Sequence, residues 1–374
     1  MHYSRRRCTS ENMKTSTDMY YNIEDDLNAY PEAWCYVIIG GRNTGKTYST
    51  LKYYLNEHRK IVFCKRTNDD IDTLCAGNTI GKKGAEYEVD FSPYKAINRD
   101  LGTNVKAYKI KHGLGGFYRS NEEGEASGAP VAYMASLYAV SKIKGFDMSD
   151  AEAVVFDEFI PQPWDRVNRK EGEQLMDLYK TVSRDKFERT GKELKLILLA
   201  NAVNVWNPTA EILEIIDVIT NMCAKGKELL YDENRRILIR ILKTPDKMIE
   251  KEKQTGLYKT MAGTNWGRMA FGNEFGYNDF SQIKQVALKG YRPIVAVENK
   301  GKSWYIYSND ERWYMTDSPA PNVTSYDLDT ESGQKAFYYD YVLMFQEATI
   351  ENRMLFKTYT MYDMITNYKK RFII

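Results

Sequence analysis

The run Trp34-Cys35-Tyr36-Val37-Ile38-Ile39 leads directly into Gly40-Gly41-Arg42-Asn43-Thr44-Gly45-Lys46-Thr47, and this junction decides the fold. An unbroken apolar and aromatic run predicts a strand buried on both faces. The eight residues from Gly40 to Thr47 fit the G-x-x-x-x-G-K-T phosphate loop, whose permissive backbone turns successive N–H groups inward on a polyphosphate. Lys46 then reaches the β and γ oxygens, and the Thr47 hydroxyl is placed to ligate Mg²⁺. Tyr48, Leu51, Tyr54 and Leu55 share one face of the next helix, which completes the strand–loop–helix context. The octapeptide alone also arises in ordinary Gly-containing turns. Its flanks make it a nucleoside triphosphate site.

A chain of 374 residues exceeds one compact core and predicts two domains. With 43% hydrophobic and 28% charged residues it reads as a globular chain, and no apolar run approaches the roughly 18 residues of a membrane span. Met1 to Tyr20 is polar and carries Arg5-Arg6-Arg7 without an apolar core, which reads as no secretory signal. Cys8, Cys35, Cys64, Cys75 and Cys223 show no C-x-x-C spacing, so they suggest buried thiols, not a disulfide frame or zinc site. His2, His58 and His112 are scattered, which argues against a histidine triad. The formal charge of +2 excludes a polycation; contact with nucleic acid would need local patches or several copies around one duplex. Most of the 29 tyrosines are expected to pack at the edge of the core.

Further buried strands are expected at Ile61–Cys64, Val131–Met134, Ala153–Phe156 and Leu194–Leu199. Leu175, Leu178, Tyr179 and Val182 mark an amphipathic helix between the last two. The alternation predicts a doubly wound, mainly parallel α/β domain of the P-loop NTPase type over residues 1–243. The Gly- and Lys-rich interval Gly77–Pro130 breaks the rhythm and is expected to hold a β-hairpin insertion or mobile loops. Arg236–Leu242 is a further strand, and Thr244-Pro245-Asp246 starts a polar helix, with Pro245 at its first position. Residues 244–284 read as a helical linker. A smaller β-rich domain over 285–374 opens with a meander of Pro293–Val297, Ser303–Tyr307 and Arg312–Thr316, and closes with helical sequence at Tyr338–Met344 and Met361–Tyr368.

Ala153-Val154-Val155-Phe156-Asp157-Glu158 is an apolar strand ending in two acids. Beside a phosphate loop, Asp157 suits support of the Mg²⁺ shell and Glu158 suits polarising an attacking water, so the pair points to hydrolysis. Asn201, ending Leu198-Leu199-Ala200-Asn201, is a candidate sensor of the γ-phosphate; the plainer alternative is a turn before Pro208. Arg184, at the end of the amphipathic helix, is favoured there by the helix dipole and is also a candidate arginine finger for a neighbouring subunit, with Arg189 as its competitor. Arg42 could assist the phosphate in cis or simply pack. Lys65-Arg66, Lys142 and Lys144 are weaker candidates. The basic, aromatic stretch Lys106–Arg119 and the run Lys369-Lys370-Arg371 are either solvated faces or contacts to a phosphate backbone.

The ordered set of Gly40–Thr47, Lys65-Arg66-Thr67-Asn68-Asp69-Asp70, Lys144-Gly145-Phe146-Asp147, Val154–Glu158 and Leu198–Asn201 resembles the large-terminase superfamily of ASCE ATPases. So do Gly263-Thr264-Asn265-Trp266-Gly267 and Gly272-Asn273-Glu274-Phe275. The short length is similar to the phi29-type DNA-encapsidation ATPases of small tailed phages. The resemblance implies an ATP- and Mg²⁺-dependent motor that drives double-stranded DNA into a prohead. It implies a homo-oligomeric ring, often a pentamer, at the portal or connector, with a packaging RNA in some members. The setting would be the host cytoplasm, with transient attachment to the portal vertex and no membrane. By resemblance, Lys46 and Thr47 bind phosphate and Mg²⁺, Asp157 supports the metal, Glu158 is the catalytic glutamate and Arg184 is the trans finger. Terminases carry a ribonuclease-H-like nuclease in the second domain. Here Ile294–Val297 holds no Asp, only Glu298 follows, and Asp310, Glu311 and Asp317 fall in turns, which implies a vestigial nuclease fold. A terminase with a working nuclease, a nucleotide-gated structural or adaptor protein, and a helicase stay open as alternatives.

Overall fold

The computed structural model describes residues 20–76, 91–143, 145–272, 275 and 278–372. His2, Arg5, Arg6, Arg7, Cys8, Lys144, Asn273 and Glu274 lie outside the described residues, as does part of the Gly77–Pro130 interval.

Nine strands form the larger sheet: β1 (Cys35–Ile39), β2 (Ile61–Lys65), β3 (Val105–Lys111), β4 (Leu114–Ser120), β5 (Ala126–Ser136), β6 (Ala153–Asp157), β7 (Lys195–Ala200), β8 (Leu229–Asp232) and β9 (Ile237–Ile241). Their order is β3-β4-β5-β2-β6-β7-β1-β9-β8. The run from β5 to β9 is parallel throughout, while β3, β4 and β8 pair antiparallel at the margins. Every residue of β1, and Ile61 to Cys64 of β2, is fully buried, so these strands lack polar alternation. Each such aliphatic side chain contributes roughly 1.5–3 kcal/mol. The helix Glu171–Ser183 buries Leu175, Leu178 and Val182, the stripe its spacing predicts.

In the interval expected to hold a hairpin, β3 and β4 are joined by His112-Gly113. Gly113 has φ +74°, and a Cβ there would stand 2.2 Å from Asn68 Oδ1, so only glycine fits. Asp72, on the helix Asn68–Cys75, fastens the tip: Lys109 Nζ donates to it at 2.6 Å and the Gly113 N–H at 3.2 Å, and His112 Nδ1 lies 2.8 Å away. Burial nudges the Asp72 carboxyl upward, but Lys109, His112 and the Gly113 amide outweigh that and hold it at about 2.

The smaller sheet holds β10 (Arg292–Asn299), β11 (Lys302–Ser308), β12 (Trp313–Thr316), β13 (Thr324–Asp327) and β14 (Met354–Phe356), in the order β13-β10-β11-β12-β14. β10, β11 and β12 are the expected meander; β13 joins β10 and β14 joins β12 in parallel. Lys300 and Gly301 both have positive φ, the geometry of a two-residue hairpin turn that matches the strands' twist. Val297, Ile306, Met315, Phe337, Phe345 and Met364 centre a separate core. Pro245, expected at the first helical position, instead occupies the N-cap position, one residue before the helix Asp246–Lys253.

The chain forms two compact units that interleave along the sequence, where the sequence reading expects successive segments. One runs to Pro161 and adds Glu173–Val203 and Glu228–Gly276; the other holds Gln162–Gly172, Asn204–Lys227 and the C-terminal part. Polar side chains explain the assignment of the inserted pieces. Asn278 accepts from the Val205 N–H at 2.9 Å, Asp217 accepts from the Thr360 N–H at 3.0 Å, and Arg169 donates to the Arg371 carbonyl at 2.8 Å.

Candidate active site

Three parallel strands end side by side in the larger unit, and each delivers one part of the site. β1 runs into the Gly40–Thr47 loop, β7 into Asn201, and β6 into Asp157 and Glu158. β7 lies between the other two, with Ile39 opposite Ala200 and Leu199 opposite Asp157. Adjacent strands are about 4.8 Å apart, so loop and acids stand roughly 10 Å apart at the backbone. Side chains span that distance. Thr47 Oγ1 donates to Asp157 Oδ1 at 2.9 Å, and Lys46 Nζ donates to Asn201 Oδ1 at 3.3 Å.

Gly45, with φ +90°, precedes the helix Lys46–Asn56 and provides no side-chain cap. The orphan N–H groups and positive dipole end of that first turn are therefore available to an anion. Lys46 Nζ also donates to the carbonyls of Gly40 at 3.0 Å and Gly41 at 2.7 Å, and to Thr44 Oγ1 at 3.2 Å. Burial pushes its pKa down to about 8, partly offset by the negative charge of Asp157 and Glu158. Arg42 and Asn43 are exposed at the loop tip.

Lys65 ends β2, the strand beside β6. Its Nζ lies 2.8 Å from Asp157 Oδ2 and 3.0 Å from Glu158 Oε2. Burial alone would lower this ammonium, but two carboxylates in direct contact outweigh it and hold the proton well above the usual lysine range. Glu158 has φ +63°, uncommon for a side chain of its size. Arg66 pins the turn: Nη2 donates to the Glu158 carbonyl at 3.0 Å and the Phe159 carbonyl at 3.1 Å, and its guanidinium lies over the Phe156 ring. The Phe159 N–H donates back to the Leu199 carbonyl at 3.1 Å, tying the turn to β7.

A further support comes from upstream of β1. The Tyr21 N–H donates to the Thr44 carbonyl at 2.9 Å, and the Tyr21 hydroxyl donates to Asp26 Oδ2 at 2.8 Å. Asp26, itself buried, is paired with Arg240, whose Nε donates at 2.7 Å. Burial, then Asp26, drives the Tyr21 phenol well above its ordinary value.

Arg184 and Arg189 do not enter this site. Arg184 Nη1 lies 3.6 Å from Asp147 Oδ1 and its Nη2 donates to the Phe146 carbonyl at 3.3 Å. Arg189 pairs with Asp185 at 3.0 Å and donates to the Ser149 carbonyl at 3.3 Å. Residues 146–149 precede β6, so both arginines stand at the end of the sheet where β6 begins, away from its acids. Lys142 is exposed, and its carbonyl accepts from Lys111 Nζ at 3.2 Å. The Lys369–Arg371 run packs within the smaller unit, with Lys370 and Arg371 over the Trp206 ring and Arg371 Nη2 3.2 Å from Glu211. Sequence reasoning ranked Lys65 and Arg66 low; their signal is a place at the end of the strand next to the acids. Tyr21 had none, because it holds the loop through its backbone.

The sequence model of a podovirus DNA encapsidation protein family (Gp16) matches residues 128–365, which include both acids, Arg184 and Asn201. Among solved structures, the bacteriophage Phi-29 viral genome packaging motor assembly is similar at TM-score 0.61 and 16% identity, over 95% of this chain and 99% of that one. The Phi-28 gp11 DNA packaging motor is similar at TM-score 0.59 and 16% identity, over 95% and 98%. At that identity the likeness is one of fold. No curated protein matches.

Proposed function

This chain belongs to the podovirus DNA encapsidation protein family, and from that premise we propose that it hydrolyses ATP with Mg²⁺ to translocate double-stranded DNA. It would work as a ring, with five copies the expected number, at the portal of the prohead in the host cytoplasm, and a packaging RNA is a further candidate partner. The observation that carries the reading is the 2.9 Å contact between Thr47 and Asp157. A hydroxyl and a carboxylate converging from two strands are the hard oxygen ligands that Mg²⁺ prefers. When bound, that ion neutralises charge on the β and γ oxygens.

The chain's own residues divide the remaining work. The first-turn N–H groups after Gly45 and the Lys46 ammonium hold the phosphates; to do so Lys46 leaves the carbonyls of Gly40 and Gly41. Glu158 orients and deprotonates the attacking water, its carboxylate steered by Lys65 and its backbone fixed by Arg66. Asn201, between loop and acids, reports the state of the γ-phosphate. Arg184, remote from its own site, serves a neighbour's. We read the smaller unit as a vestigial ribonuclease-H-like domain. Its acids have separate local partners: Glu298 accepts from Ser325 at 2.9 Å, Asp310 lies 3.4 Å from Arg292, and Asp317 pairs with Lys357.

The test is ATP hydrolysis in the presence of duplex DNA and proheads. Lys46→Ala and Glu158→Gln should each lose at least ~10²-fold in rate. Undiminished turnover by either would remove the site assignment, and Mn²⁺-dependent cutting of plasmid DNA would favour a working nuclease instead.

A further inference from the structure

Both ends of the Gly40–Thr47 loop are held from β9, the strand that pairs with β1 on the side away from the acids. Arg240 in β9 and Leu242 just beyond it are two residues apart, so their side chains leave on the same face. Leu242 closes on the first residue of the loop: its N–H donates to the Ile39 carbonyl at 2.7 Å, and a Cβ on Gly40 would stand 2.9 Å from its Cδ1. Arg240 reaches the other end through two intermediates. Its Nε and Nη2 both donate to the Asp26 carboxylate, whose Oδ2 also accepts from the Tyr21 hydroxyl at 2.8 Å. The Tyr21 N–H then holds the Thr44 carbonyl at 2.9 Å, and a Cβ on Gly45 would stand 3.1 Å from Tyr20 Cβ.

Thr44 passes this hold on. Its Oγ1 donates to the Gly41 carbonyl at 2.9 Å and accepts from Lys46 Nζ at 3.2 Å, so its position is shared with both neighbours. Asp26 is 1% exposed. A buried ion pair is weak evidence of stability, since desolvation cancels much of the attraction and apolar residues of like volume often serve as well. What this pair adds over an apolar contact is direction. Three donors on one carboxylate fix the phenol within hydrogen-bond geometry, and with it the backbone of Tyr21.

We propose that Arg240, Asp26 and Tyr21 are positioning residues for triphosphate binding, holding Thr44 and Gly45 so that the loop already has its binding geometry before nucleotide arrives. On the nucleotide reading given above, they act through the loop and need touch no phosphate. A loop that visits its binding geometry only part of the time loses apparent affinity by that fraction. Substrate and transition state lose alike, so KM rises while kcat stays.

The test is affinity for a non-hydrolysable ATP analogue with Mg²⁺, measured calorimetrically on the full chain beside its melting temperature. Tyr21→Phe keeps the backbone bond to Thr44 and removes only the phenol's bond to Asp26. It should weaken binding about fivefold and raise KM to match, with kcat within about twofold of the parent. Exchanging the pair together, Asp26→Leu with Arg240→Met, removes both charges and keeps apolar bulk. Its melting temperature should hold, while affinity falls about fivefold or more. Adding Tyr21→Phe to that exchange should cost little more, since both cut one chain of contacts. Unchanged affinity in folded Tyr21→Phe would make the trio purely structural and overturn the proposal, and so would losses that multiply in the combined variant. A fall in kcat at unchanged affinity would overturn it too, by placing Tyr21 in the chemistry. A parent chain that binds no analogue would remove the nucleotide reading itself, and this proposal with it.

Discussion

Two lysines near the same two acids are tuned in opposite directions, and the difference is contact. Lys65 touches Asp157 and Glu158, whereas Lys46 is buried against carbonyls and meets those charges at longer range. Lys46 therefore has a folded pKa of about 8 against an ordinary value of 10.5. Between these values the unfolded chain binds more protons, so this residue makes stability rise with pH from about 8 to about 10.5. Denaturant melts across that window should show the rise, reduced in Lys46→Met. Phosphate needs the charged form, so affinity for a non-hydrolysable ATP analogue should fall as pH passes about 8, approaching tenfold per unit. A flat affinity profile would refute the assignment of that pKa to Lys46. Lys65→Met removes a cation that touches both acids. It should lower the hydrolysis rate by ~10-fold or more while leaving analogue affinity nearly unchanged, since no phosphate contact is lost.

The elements that sequence made plain are those whose residues answer to one demand. β1, β2, β6 and β7 are buried on both faces, so their apolar runs are continuous, and the loop and acids at their ends were legible from type and order alone. β13 and β14 were not, because each is short and its partners, β10 and β12, are supplied from elsewhere in the chain. The β3–β4 hairpin was anticipated as one of two options, a β-hairpin insertion or mobile loops; its geometry rests on Gly113 and on Asp72 reaching across from the helix Asn68–Cys75. Gly113→Ala should cost about 2 kcal/mol or more, since it combines a left-handed backbone with a clash at Asn68. Asp72→Asn should cost only about 1 kcal/mol, because its partners are largely exposed. Equal thermal shifts for the two would mean that the tip is held by charge and not by shape.

Taken whole, the chain brings the loop, the acids and Asn201 of the proposed nucleotide site together and keeps its best arginine candidates away from them. Arg184 and Arg189 sit where β6 begins, beside Asp147 and Asp185, while the acids they would assist lie where β6 ends. If Arg184 acts on a neighbour, mixing Arg184→Ala subunits with Lys46→Ala subunits should restore part of the activity that each lacks alone. No recovery at any ratio would make Arg184 a structural cap of its own helix. Sequence could name this arginine but not the site it serves, since that depends on geometry beyond one chain. The anchoring of Tyr21 to Thr44 carries a practical warning. A proteolytic nick or a substitution at Tyr21 would act directly on the Gly40–Thr47 loop, so altered turnover in such a preparation would report on the anchor and not on the residues proposed to carry the chemistry.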